Sequence, residues 1–254
     1  MPSLDANLQF MFNEYDVLDR YDAAARAGFK AVELQSPYPF EPEQVKERLE
    51  RNGLRQILIN MPAGDERNVP IRPDRRDQFR EFVAQGVKYA EALNCPVINC
   101  PPGPAPEGAP ADELKATLVE NLRYAATEFA KVGTRVLVEA INTRDQPGFF
   151  VHTTSDCRAV IQEAAHENLG IQYDVYHMQI MEGDLARTIQ ANLDLIGHIQ
   201  IADTPGRNEP GTGEINYDFL LPYIDSLGYE GWVGCEYKPA GRTEDGLGWA
   251  RKYL

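Results

Sequence analysis

Four apolar, strand-like stretches in the second half of the sequence each carry one hard oxygen ligand at or near the end. They are Val136-Leu137-Val138-Glu139, Gly170-Ile171-Gln172-Tyr173-Asp174, His198-Ile199-Gln200-Ile201 and Trp232-Val233-Gly234-Cys235-Glu236. A single strand-ending carboxylate is commonly a helix cap or half of an ion pair. Four in succession point to a cation site. Three carboxylates and one amide supply only oxygen atoms, which favours Mg²⁺ or Mn²⁺ over the nitrogen and sulfur donors typical of zinc. Side chains alternate faces along a strand. Glu139 therefore shares a face with Leu137, Asp174 with Gln172, Gln200 with His198 and Ala202, and Glu236 with Gly234 and Trp232. All four candidate ligands fall in phase.

Strands that lie side by side with their ends level are needed to bring such residues together. Strand-like runs occur at 8–12, 31–35, 54–60, 97–100, 135–140, 170–175, 198–202 and 232–237, eight in all, with amphipathic stretches between them. The clearest, 113–132, sets Leu114, Leu118, Leu122, Ala125 and Phe129 on one stripe at three- and four-residue steps. Thr154 and Ser155 are N-cap candidates, and Gly28 and Gly53 stand where helices should end. Spread over 254 residues, eight units average about 32 residues, the size of a strand–helix repeat. No linker or composition break interrupts them. The expected fold is an α/β single domain, a (β/α)8 barrel over 1–254. An open doubly wound sheet is the alternative, but no GxGxxG follows the first strand. Two loops depart from the rhythm: 101–110, with five prolines and two glycines, and the polar 203–216. Both should emerge at the C-terminal rim, where barrel enzymes keep their active sites.

Composition narrows the partners. A formal charge of −14 disfavours nucleic acid, whose phosphates require a basic footprint. The first residues lack a basic segment followed by an apolar one, so no signal peptide is expected, and no apolar run approaches the ~18 residues of a membrane helix. A soluble, cytoplasmic protein is expected. Cys95, Cys100, Cys157 and Cys235 form no metal or redox spacing and read as buried thiols. An anionic substrate would need a local positive centre within this negative field, such as a metal ion with one or two arginines. Arg207, in a PGR turn after the seventh run, could clamp a carboxylate; His177, three residues past Asp174, could hold a substrate oxygen.

The runs GIQYDVYHMQIMEGDLARTI, IGHIQIADTPGRNEPGTGEINY and GYEGWVGCEYKPAGRTEDGLGW closely resemble the hydroxypyruvate isomerase family, within the xylose-isomerase-like barrels. The likeness extends to ANLQFMFNEYD near the start, NMPAGD at 60–65 and LVENLRYAA at 118–126. It implies metal ligation by Glu139, Asp174, Gln200 and Glu236, with Glu139 and Glu236 as proton donor and acceptor. The implied reaction interconverts hydroxypyruvate and tartronate semialdehyde, or makes a similar aldose–ketose shift on a short 2-oxo acid. Family analogy also hints at a homo-oligomer.

Two departures bear on the substrate. Glu139-Ala140-Ile141-Asn142 stands where family members often read Glu-Pro-Ile-Asn, and Leu34-Gln35-Ser36 replaces a more aromatic continuation of the second strand. A more polar wall would suit an extra hydroxymethyl group, as in a 2-oxo-tetronate. A ketose 3-epimerase uses a similar site, but related enzymes usually carry His where this chain has Gln200. An endonuclease of the superfamily would need more than four histidines and a basic face. A non-catalytic sugar-acid binder would have no use for two carboxylates flanking a metal.

Overall fold

The computed structural model describes residues 2–64 and 67–254. Met1 and Asp65, the latter ending the NMPAGD run, lie outside the described residues. Eight parallel strands close in sequence order: β1 Ser3–Asn7, β2 Ala31–Glu33, β3 Arg55–Asn60, β4 Val97–Asn99, β5 Arg135–Glu139, β6 Leu169–Asp174, β7 Ile196–Ile201 and β8 Trp232–Cys235. Closure joins β1 to β8 with Asp5 opposite Gly234. The outer ring comprises α1 Arg20–Arg26, α2 Pro42–Asn52, α3 Arg76–Ala92, α4 Ala111–Ala130, α5 Thr154–Ala164, α6 Val175–Met181, α7 Leu185–Asn192 and α8 Tyr217–Ser226. The expected single (β/α)8 barrel is the observed one. No helix among the described residues is long and apolar enough to cross a membrane.

Most of the periodic signals hold. Val136 and Val138 pack outward in the main apolar core beneath the helices, while Leu137 joins Leu58 and Val97 in a small separate cluster. Leu114, Leu118, Leu122, Ala125 and Phe129 are all buried along α4. Gly53 ends α2 at φ 62°, a conformation that costs glycine nothing. All four cysteines are buried and free, and burial pushes the thiols of Cys95 and Cys100 up to about 12.

Two expectations are corrected. The first strand is Ser3–Asn7 rather than 8–12. Its buried polar residues, Asp5 and Asn7, interrupt the apolar pattern that marks the other strands, while Leu8, Met11 and Phe12 are buried in the turn that follows. That turn is organised by Asn7, whose side-chain oxygen accepts from the backbone N–H of Gln9 and Phe10 at 2.9 and 3.2 Å. The cap of α5 is Thr153, one residue earlier than expected, in a reciprocal box with Asp156. The loop 203–216 is compact. The Asp203 carboxylate accepts from the N–H groups of Thr204, Gly211, Gly213 and Ile215 at 2.9–3.0 Å, which satisfies the loop's backbone from within.

Candidate active site

The strands end in a cavity of about 470 Å³ whose wall includes Glu139, Glu236, His177, Arg207, Arg67 and Gln35. The proline-rich loop reaches it through Pro101 and Gly103. Gly103 sits at φ 83°, and a Cβ there would come within 2.3 Å of the Arg67 carbonyl oxygen, so only glycine fits.

Glu139, Asp174 and Glu236 converge here as three buried carboxylates. Glu139 ends β5, and its Oε2 accepts from Asn99 Nδ2 at 2.6 Å. Burial, then the charges of Glu236 and Asp174, hold its carboxyl well above the ordinary range. Asp174 ends β6 and caps α6, its Oδ1 accepting from Tyr176 N at 2.8 Å. Burial raises it as well, against the pull of Arg207. Glu236 follows β8; burial pushes it up to about 8, opposed by Arg207. Gln35 donates to its Oε1. Carboxylates crowded in a low-dielectric site without enough positive charge behave this way.

Arg207 is the cation in their midst. Its Nη2 lies 2.5 Å from Glu236 Oε2 and 3.4 Å from Asp174 Oδ2. Phe10 and Tyr176 each hold a ring centroid 4.9 Å from the guanidinium carbon. Burial works against the guanidinium charge, but Glu236, Asp174 and Glu139 outweigh it and raise its pKa further. The side chain expected to face substrate thus also faces the carboxylates.

His177 is buried beside them, its Nε2 3.3 Å from Asp174 Oδ2. Burial, then Arg207, lowers it to about 3, so the ring is neutral at pH 7. Its Nδ1 lies 2.7 Å from Asn142 Nδ2, which places the ring proton on Nε2 when Asn142 donates. Asn142 in turn donates to Asp145, whose carboxylate also accepts from the Tyr176 hydroxyl at 2.8 Å.

Gln200, level with Asp174 on the neighbouring strand, bonds a different set of partners. Its amide is fully buried, donating to Glu33 Oε1 at 2.8 Å and accepting from Gln172 Nε2 at 2.6 Å. The sequence does not single out Glu33 as a ligand, although it ends β2 just as Glu139 ends β5. Asn99, Asn142 and Asp145 left no comparable signal.

The donor set suits a hard divalent cation. Three buried carboxylates face one guanidinium, and ligand atoms of Glu139, Asp174 and His177 lie within 4.8 Å of one another. Removing charge from this cluster should be visible in stability. A carboxyl whose folded pKa is raised binds its proton more tightly when folded, so stability falls as pH rises from the unfolded to the folded pKa. For Glu236 that window runs from 4.5 to about 8. With chelator present, the melting temperature should fall across this range, and Glu236→Gln should flatten the fall. An unchanged slope in the variant would show that Glu236 is not the group responsible.

Residues 21–253 match the family model described as Xylose isomerase-like TIM barrel. The chain is 48% identical to hydroxypyruvate isomerase of Escherichia coli (strain K12), over the whole of both proteins. It is 43% identical to a 2-oxo-tetronate isomerase of Cupriavidus necator, covering all of this chain and 99% of that one. A crystal structure from Brucella melitensis, described as an AP endonuclease of family 2, superposes with a TM-score of 0.98 at 42% identity, covering 100% of this chain and 99% of that one. An Escherichia coli 3-keto-D-glucoside 4-epimerase gives 0.86 at 22% identity over 99% of each chain, a likeness of fold alone.

Proposed function

The chain belongs to the xylose isomerase-like TIM barrels, and within them to the hydroxypyruvate isomerase family; from that membership we propose that it moves a carbonyl between C2 and C3 of a short 2-oxo acid, interconverting hydroxypyruvate and 2-hydroxy-3-oxopropanoate. The observation that supports this most is the pairing of Glu139 and Glu236, two buried carboxylates on one cavity wall beside a neutral histidine.

A C–H next to a carbonyl is a weak acid, and the barrier lies in the negative charge left on oxygen when the proton goes. A divalent Mg²⁺ or Mn²⁺ ion held by Glu139, Asp174 and Glu236, with the Gln200 amide oxygen as a fourth donor, would supply the charge that stabilises an enediolate. The chain supplies the proton traffic. One glutamate takes the proton from C3 and the other returns one to C2, the roles exchanging with direction. The Nε2–H of His177, which faces Asp174 Oδ2 at 3.3 Å, would turn to a substrate oxygen once a cation takes up that carboxylate. With Arg207 drawn toward carboxylates, Arg67 is the further arginine on the cavity wall to meet the substrate carboxylate. Arg67→Ala should raise KM about tenfold with kcat nearly unchanged, because a carboxylate grip is felt equally in ground and transition states. A loss confined to kcat would remove Arg67 from that role.

Proton NMR of hydroxypyruvate in D₂O with Mg²⁺-loaded protein tests the reaction. Conversion with deuterium entering C3, abolished by chelator, is expected; unchanged, protiated substrate would overturn the proposal.

A four-carbon 2-oxo-tetronate is favoured by one observation: Gln35 and Ser36, the polar departures noted in the sequence, line the cavity. Comparable kcat/KM for both acids would support this second substrate, and strict preference for hydroxypyruvate would exclude it.

A further inference from the structure

A glutamine is a two-faced ligand. Its oxygen can bind a hard cation; its NH₂ group cannot, and a half-turn of the amide exchanges them. A site that relies on Gln200 therefore needs something to fix which end points where.

Glu33 is placed to do this. It ends β2 inside the barrel, is fully buried, and its two oxygens meet three donors. Oε1 accepts from Gln200 Nε2 and from Asn7 Nδ2, both at 2.8 Å, and Oε2 lies 2.9 Å from His198 Nε2. A carboxylate offers acceptors only, so it selects the NH₂ end of Gln200 and turns the amide oxygen away. That oxygen has two lone pairs. One takes the Gln172 amide at 2.6 Å, which leaves the second for a cation.

The fold reserves room for this carboxylate. Gly234 pairs with Gln200 on one side and with Asp5 on the other. A Cβ at position 234 would lie 2.7 Å from Glu33 Oε1 and 2.9 Å from Oε2. Asn7 and His198 grip the carboxylate from β1 and β7, so its orientation is set by two further strands. Metal-bound imidazoles commonly hand their second N–H to a carboxylate that fixes the ring. We infer that Glu33 is a positioning residue that plays the same part for an amide, holding Gln200 so that its oxygen serves the metal.

That role presupposes the cation site proposed above. It also competes with another use of the same residues, since Asp5, Glu33 and His198 have ligand atoms within 4.8 Å of one another and could themselves hold an ion. The three donors already on Glu33 favour the positioning role.

Mn²⁺ binding, followed by the electron paramagnetic resonance of free Mn²⁺, separates these cases without recourse to activity. The proteins are wild type, Glu33→Gln, Gln200→Ala and the double variant, each checked for folding by its metal-free melting temperature. Glu33→Gln is expected to weaken Mn²⁺ about 10- to 100-fold. In the Gln200→Ala background the same change should alter affinity by less than about twofold, because the residue it orients is gone. An equal loss in both backgrounds, or no loss in either, overturns the inference. So does a stoichiometry of two Mn²⁺ that falls to one in Glu33→Gln, since Glu33 would then be a ligand itself. If wild type binds no Mn²⁺, the cation site falls, and the positioning role with it. Should Glu33→Gln not fold, Glu33→Asp carries the same cycle.

Discussion

Glu236→Gln lowers kcat/KM by about 10³-fold or more while leaving the barrel folded. General acid–base groups contribute roughly 10²–10⁴-fold, and Glu236 is also a candidate ligand, so its loss acts twice. The glutamine keeps the shape of the side chain and can still receive the Gln35 amide, which limits the structural cost. Steady-state kinetics with hydroxypyruvate at saturating Mg²⁺ would measure the effect, with melting temperature as the check on folding. Hydrogen exchange at C3 in D₂O adds resolution. If Glu236 serves the C3 carbon, exchange disappears with turnover; if it serves C2, exchange at C3 survives in part. Turnover within tenfold of wild type would remove Glu236 from the proton-transfer pair.

Arg207→Gln should bind Mn²⁺ about 10- to 100-fold more tightly and turn over far more slowly. In the metal-free protein the guanidinium is the counter-charge for three buried carboxylates, in contact with Glu236 and close to Asp174. A divalent ion among the same oxygens would lie only a few ångströms from it. Even at an effective dielectric of 20, two like unit charges 4 Å apart repel by about 4 kcal/mol, and the ion carries two. Arginine and metal therefore compete, and removing the arginine removes the competitor. The same substitution costs activity because a guanidinium released from the carboxylates would face an anionic substrate. Direct Mn²⁺ titration measures the first effect and steady-state kinetics the second. Unchanged or weaker metal binding in the variant would show that Arg207 and the ion do not share a place. The Arg207→Lys variant should fall between the two, since an ammonium keeps the charge but loses the stacking between Phe10 and Tyr176.

The barrel was legible because seven of its strands present apolar runs that recur with helices between them. The eighth, β1, was misplaced for a physical reason. Asp5 and Asn7 sit among the buried residues of the strand, so the hydrophobic signal moved into the turn, where Leu8 and Phe12 bury themselves. Glu139, Asp174 and Glu236 were legible from strand phase, which needs no tertiary knowledge. Glu33 carries the same signal as Glu139, but the strand-like run 31–35 continues through it to Gln35, so the carboxylate does not stand at an end. The placement of Arg207 could not be read from neighbours in sequence. It depends on a left-handed backbone at φ 55° and on the loop folded around Asp203. His177 was placed by its spacing from Asp174, whereas its partner Asn142 comes from a different loop and meets it only in the folded barrel.

The close approach of Gly234 to Glu33 constrains how this lineage can change. A Cβ at 234 would meet the carboxylate, so alanine there pushes the Glu33 head group from its place beside Gln200 and fits without that shift only after 33 has shrunk. The reverse holds as well: a glutamate entering at 33 after 234 has gained a methyl group cannot take this same position. The two positions, 201 residues apart in sequence, are therefore coupled, and the order in which they change matters. The glycine works as a historical latch, and a descendant that loses it first cannot keep the carboxylate that holds Gln200.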